Sequence, residues 1–145
     1  MGEKGMTFTE VAISLAITAA ISVFLGTELE AMADRVSLDA AATEVVGDLR
    51  YARNLAVLER QAVQVAVDQE RPGVTILRAG LPSQPVGPTR NLASRGVRAI
   101  SSTGGTLLSF SPRGTSSTPT TLTLEDRRGT RRVVTLSLTG IARVR

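Results

Sequence analysis

Glu10 is the only charged residue between Gly5 and Glu28. A carboxylate at membrane depth costs on the order of 3 kcal/mol unless a cation meets it, which marks such a residue as functional by default. The chemistry it offers is ion pairing. A second group that could do chemistry lies far along the chain: Arg127, Arg128, Arg131, Arg132, Arg143 and Arg145. The first four flank a turn and the last two end the sequence. If the terminal strand pairs near that turn, the six form one patch. Guanidinium groups in that arrangement suit phosphate, and would give sequence-independent, salt-dependent binding of DNA. The same patch would equally suit solvent, or the Glu28, Glu30 and Asp34 of a neighbouring subunit.

Catalysis finds no foothold. There is no Cys and no His, which excludes thiolate nucleophiles, Cys/His metal sites and His-based dyads. Glu125-Asp126 is a carboxylate pair only in one dimension, because Arg127 and Arg128 follow it at a turn. Gly104-Gly105 lacks the Lys-Ser/Thr and the following helix that a phosphate loop needs. Of four aromatic residues, only Tyr51 and Phe110 lie beyond the apolar N-terminal stretch, too few for a base-stacking platform. No enzyme activity, cofactor or metal is expected.

The 145 residues suit one small domain behind an N-terminal segment. Charge is uneven along them. Residues 1–70 carry five basic and eleven acidic groups, net −6. Residues 71–145 carry twelve Arg against Glu125 and Asp126, net +10. That asymmetry points to an anionic partner or an acidic neighbouring subunit for the second half.

The elements that must position these residues follow from periodicity. Residues 11–27 are uncharged, and with Met6–Thr9 the apolar run reaches about 22 residues, close to the roughly 20 needed to span a bilayer. Many Ala, Ser and Thr make it a weak anchor. Leu38, Ala42, Val45, Leu49, Ala52 and Ala56 recur at spacings of four and three, an apolar stripe of helical period. Asp39, Glu44, Asp48, Arg50, Arg53 and Glu59 take other faces. No Pro precedes Pro72, so one helix is expected from about residue 6 to about residue 60, roughly 80 Å long. Gly26 and Gly47 weaken it locally. After residue 60 the pattern alternates. Strands are expected at Val63–Val67, Val74–Leu77, Val97–Ser101, Thr106–Ser111, Thr120–Glu125 and Arg132–Leu138, with a last short segment at Ile141–Arg145. Residues 80–90 and 112–119, rich in Pro, Gly and Ser, read as loops. The class is α+β, with helix and sheet segregated.

Three readings compete for the N-terminus. Ala31-Met32-Ala33 has the form of a signal-peptidase site, but Glu28, Glu30 and Glu10 interrupt the apolar region. A plain transmembrane anchor leaves Glu10 unexplained. The third reading accounts for it. Gly5-Met6-Thr7-Phe8-Thr9-Glu10, behind the short leader Met1-Gly2-Glu3-Lys4, resembles the type IV prepilin motif. In that family the usual pattern is Gly-Phe-Thr-Leu-Ile-Glu, so Met6 stands where Phe is usual. The resemblance implies cleavage after Gly5 by prepilin peptidase and N-methylation of Met6. Glu10 falls at the family's Glu position, where a neighbouring subunit's new ammonium can neutralise it.

Later blocks are similar to the GspH/FimT group of minor pilins and pseudopilins. Leu49-Arg50-Tyr51-Ala52-Arg53-Asn54-Leu55-Ala56 resembles its L-R-x-A-R-x-x-A pattern, and Phe110-Ser111-Pro112-Arg113-Gly114 its F-x-P-x-G block. The resemblance implies a long N-terminal α-helix, membrane-spanning in its first half, packed on a small C-terminal domain of two antiparallel β-sheets. The divisions expected are a leader at 1–5, a transmembrane and assembly half at 6–27, an amphipathic half at 28–60 and a β-rich domain at 61–145. It also implies a tip subunit of a type IV pilus or of a type II secretion pseudopilus. Such a subunit sits in the bacterial inner membrane, its domain in the periplasm, with other pilins as partners. FimT-like members bind DNA through Gly-Arg-x-Arg. Gly140-Ile141-Ala142-Arg143 matches the second Arg, while Ile141 replaces the first.

Overall fold

The computed structural model describes residues 7–80 and 82–145, apart from the side chains of residues 23–31. Gly5 and Met6, the expected processing site, lie outside the described residues. Helix α1 runs Phe8–Glu59. Thr7 caps it: its carbonyl accepts the N–H groups of Glu10 and Val11 at 3.0 and 3.2 Å. Arg60, with φ of 53°, turns the chain out of the helix through the left-handed region.

The chain divides into two compact units, Met1–Asp34 and Arg35–Arg145. In the first, the described side chains belong to residues 7–22 and 32–34, all of them exposed. Phe8, Val11, Ile13, Leu15, Ile17 and Ile21 are the large apolar groups among residues 7–22. The hydroxyls of Ser14, Thr18 and Ser22 donate to the carbonyls of Glu10, Ser14 and Thr18, each at 2.8 Å. These groups are thereby satisfied within the helix, and its surface is more apolar than the Ser and Thr content suggests. No helix among the described residues is long and apolar enough to cross a membrane. The span expected at 6–27 lies partly outside the described residues.

In the second unit, Leu38, Ala42, Val45, Leu49, Ala52 and Ala56 are all buried, as their spacing predicts. They share one core with two antiparallel sheets. The first is built on the hairpin β1 (Val63–Asp68) and β2 (Gly73–Arg78), paired in the register Val65↔Ile76. The two-residue strands β3 (Gln84–Pro85) and β4 (Arg90–Asn91) pair with β2. β5 (Val97–Ser102) opens the second sheet, and β6 (Leu107–Phe110) joins β1 in the first. The second sheet continues with β7 (Thr120–Asp126), β8 (Arg131–Leu136) and β9 (Ala142–Val144), in the order β5-β7-β8-β9. Val63, Val65, Leu108 and Phe110 supply the first sheet's buried face; Leu122, Leu124, Val134 and Leu136 supply the second's.

The region 80–90, read from sequence as loop, carries β3 and the first residue of β4. Pro82, Pro85 and Pro88 remove backbone donors, so pairing stops after two residues and leaves edge fragments. Gly104 has a packing reason: a Cβ there would lie 2.0 Å from Thr120 Oγ1.

Candidate functional site

Glu10 stands in the first turn of α1, exposed. Helix N-termini favour carboxylates. The Thr7 hydroxyl also accepts the Glu10 backbone N–H at 3.4 Å, a capping contact that does not involve the carboxylate.

The arginines divide into groups. Among the described residues, Arg78, Arg90, Arg95 and Arg132 reach acids on α1 of the same chain. Arg78 makes a two-pronged pair with Glu59, at 2.7 and 2.8 Å. Arg90 does the same with Asp48, at 2.6 and 3.0 Å. Arg95 meets Glu44 at 2.6 Å, and Arg132 clasps Asp39 with two nitrogens. Much of the charge asymmetry along the sequence is therefore met inside the fold, where sequence reasoning looked outward for a partner. Each of these pairs is partly solvated and of modest energy. Their hydrogen bonds hold the Asp39 and Glu59 carboxyls below the usual carboxylate range.

The six arginines expected in one patch are sorted by the pleat. β9 pairs with β8 in the register Thr135↔Arg143, and the Arg145 N–H donates to the Val133 carbonyl at 2.8 Å. Val134, Leu136 and Ala142 are buried, so Arg131, Arg143 and Arg145 share the opposite, outer face. Arg131 is held there by Glu125 at 2.7 Å. Arg132 points the other way, to the helix. Arg127 and Arg128 occupy the β7–β8 turn. Glu125 and Asp126 also fall on opposite faces. Asp126 is buried, and its Oδ1 accepts the N–H groups of Arg128 and Thr130, each at 2.8 Å. Burial works against its charge, but the N–H groups of Thr130 and Arg128 outweigh that and hold its carboxyl low.

Sequence reasoning missed Arg53 as an anchor. Its Nε donates to the Gly114 carbonyl at 3.0 Å. Gly140 packs on that contact: a Cβ there would lie 2.1 Å from the same carbonyl oxygen. Arg50 reaches the Ala142 carbonyl at 3.4 Å. The helix pattern, the Phe110–Gly114 block and Gly140 thus converge on one junction. The signal was present in the spacing of those blocks, but only the fold shows that they touch.

Comparison with known proteins agrees with this architecture. The family model for Type II transport protein GspH matches residues 41–140. Among curated proteins, none matches the chain. The fold is similar to that of the type IV minor pilin FimU of Pseudomonas aeruginosa, with a TM-score of 0.64 at 21% identity, covering 79% of this chain and 92% of that one. It is equally similar to the minor pseudopilin EpsH of the Vibrio cholerae type 2 secretion system, with a TM-score of 0.64 at 19% identity, covering 75% and 96%. The chain belongs to the GspH family of type II transport proteins.

Proposed function

We propose that this protein is a minor pilin that helps to initiate assembly at the tip of a type IV pilus and remains part of that tip. Prepilin peptidase removes residues 1–5, and Met6 becomes the N-methylated terminus. Before assembly, residues 6–27 hold the protein in the inner membrane by a single pass, with the β-rich domain in the periplasm. Glu10 then meets the terminal ammonium of a neighbouring subunit. The observation that carries this reading is the first unit itself. Its large apolar side chains are exposed, its hydroxyls are internally satisfied, and its only carboxylate between residues 7 and 22 is Glu10. Such a surface is covered by lipid or by other helices.

Glu10→Ala tests it. The variant is expected to be cleaved normally and to fail to enter filaments, read by immunoblotting of sheared filaments and of membranes. Normal incorporation would sink the pairing role. A pseudopilin of a type II secretion system is the alternative machine. Deleting the gene separates the two: loss of surface pili supports the first, loss of exoprotein secretion with pili intact supports the second.

One observation favours a DNA-binding role as well: the outer face shared by Arg131, Arg143 and Arg145. Full-length protein in detergent should then bind a short duplex with an affinity that falls steeply with salt. Arg143→Ala/Arg145→Ala should abolish it. Absence of binding at low salt removes this role and leaves assembly intact.

A further inference from the structure

We propose that the cavity between helix α1 and strand β2 is a binding site for a neutral saccharide. The cavity holds about 420 Å³, within the usual size of a small-ligand site. Its place follows from the pairing of the strands. Val74, Ile76 and Arg78 pair with the buried Val67, Val65 and Val63, so all three share the face that meets the helix. Asp48 and Glu59 stand eleven residues apart on α1, three turns, and so share one face of it. Arg90, which pairs with Val74, clasps Asp48, and Arg78 clasps Glu59. The seam between helix and strand is thus tied at both ends by ion pairs. Between the ties it stays open, with Tyr51 on the helix side and Ile76 on the strand side. The β2–β4 connection supplies the remaining wall. Val86 is fixed there by its N–H to the Ile76 carbonyl at 2.7 Å, and Pro88 stands beside it.

Tyr51 is the chain's one tyrosine, and it is 52% exposed where it lines the cavity. A half-open aromatic ring beside Ile76, Val86 and Pro88 offers a flat apolar wall with a hydroxyl at its edge. The polar end is Asp48 with Arg90. Each Asp48 oxygen accepts one guanidinium N–H, at 2.6 and 3.0 Å, and a carboxylate oxygen has capacity for a second. Arg90 Nη1 lies 3.7 Å from Glu44, beyond a hydrogen bond, which leaves its donors open. The Thr89 hydroxyl accepts from Thr75 at 2.9 Å and keeps its own proton to give. Acceptor and donor therefore sit side by side on groups that cannot exchange roles, since carboxylate only accepts and guanidinium only donates. A hydroxyl does both, and neighbouring hydroxyls on one ring satisfy the two groups together. The charge is already settled. Among the described residues that line the cavity, Arg90 is the one cation, and Asp48 holds it. A phosphate or carboxylate ligand would find no uncompensated charge there. An apolar side chain of a partner protein would cover the open Asp48 and Arg90 positions without satisfying them. A pyranose ring presents C–H groups on its face for Tyr51 and hydroxyls on its edge for the polar end.

The test uses full-length protein in lauryldimethylamine oxide, a detergent whose headgroup carries no sugar. The probes are the methyl glycosides of glucose, galactose, mannose and N-acetylglucosamine, followed by saturation-transfer NMR and calorimetry. At least one is expected to bind in the millimolar range or tighter. Tyr51→Ala should weaken that binding at least about tenfold, because the flat wall is gone. Tyr51→Phe keeps the ring face and should stay within about threefold of wild type. Thr89→Val is a milder variant, expected to cost about threefold through one lost donor. Tyr51 and Thr89 are both exposed, and unchanged circular dichroism melts show that the variants fold. Affinity should change less than about twofold between about 0.05 and about 0.5 M salt, as befits an uncharged ligand. Glucuronate should bind more weakly than the glucoside. The inference is overturned if none of the four glycosides binds, or if Tyr51→Ala binds as wild type does. Tighter binding of glucuronate, or affinity that collapses with salt, would overturn it too, by showing an anion site. Loss of filament incorporation in Tyr51→Ala with no glycoside bound would make the cavity a contact between subunits instead. Binding is read on the isolated protein, so the result stands whether or not the chain enters a filament.

Discussion

The two parts of helix α1 differ in what they bury. Over residues 38–56 the stripe carries Leu, Val and Ala, all buried against the sheets, and the acids beside it are held by arginines of the same chain. Over residues 8–22 the apolar side chains are all exposed, and the hydroxyls of Ser14, Thr18 and Ser22 are paired to the helix's own backbone. One sequence element thus contains a self-sufficient half and a half whose hydrophobic surface is unspent. Burial drives folding in the one, and the same physics drives association in the other.

The largest effect expected is at the junction that locks the loops to the self-sufficient half. Gly140 has φ of 74°, and its Cβ position lies 2.1 Å from the Gly114 carbonyl oxygen. Gly140→Ala therefore adds left-handed strain to a backbone collision. It should destabilise the fold by about 4 kcal/mol, read as a lowered denaturant midpoint. A midpoint close to wild type would mean that the loop swings away without cost and that Arg53 is not an anchor.

Next comes a matched pair that tests the comparison directly. Leu49→Ala removes a fully buried side chain and should cost about 3 kcal/mol of folding stability. Ile17→Ala removes a side chain that is 55% exposed and should leave the folding midpoint within about 0.5 kcal/mol of wild type. Its effect should appear instead as reduced incorporation into filaments. A stability loss in Ile17→Ala comparable to that in Leu49→Ala would erase the distinction between the halves.

Much of this was legible in the sequence because period carries it. The Leu38-to-Ala56 stripe, the alternation at Val63, Val65 and Val67, and the Thr120–Leu136 hairpin are local patterns set by burial on one face. The partners of the arginines were not legible. Arg90 and Asp48 are forty-two residues apart, and Arg132 and Asp39 ninety-three, so only the packing of helix on sheet brings them together. β3 and β4 were missed for a different reason. They are two-residue edge pairings with exposed side chains, which leave no hydrophobic pattern to read. Of the candidate site, the grouping of Arg131, Arg143 and Arg145 depended on one conditional, the pairing of the terminal strand, and β9 meets it. The loss of Arg132 from that group follows from parity, and parity becomes readable only once Val134 is known to face the core.

The smallest effects concern the carboxylates of the self-sufficient half, and their sign is fixed. Hydrogen bonds from Arg132 and Arg78 hold Asp39 and Glu59 below their ordinary range. At Asp126 burial opposes ionisation, but the N–H groups of Thr130 and Arg128 prevail and the shift is again downward. A carboxyl lowered in the folded state binds fewer protons there than in the unfolded chain. Its contribution is complete above the unfolded value and disappears as pH falls through the folded one. Thermal midpoints should therefore be level from about pH 8 to about pH 5 and fall below about pH 4. The three groups separate by salt. Asp39 and Glu59 pair with partly exposed arginines, so high salt should blunt their share of the acid loss. Asp126 is buried and held by backbone, so its share should survive salt. Asp126→Asn should flatten the acid limb more than Asp39→Asn or Glu59→Gln. If all three flatten it equally, or if salt abolishes the acid limb, the buried turn carboxylate contributes no more than the solvated clasps.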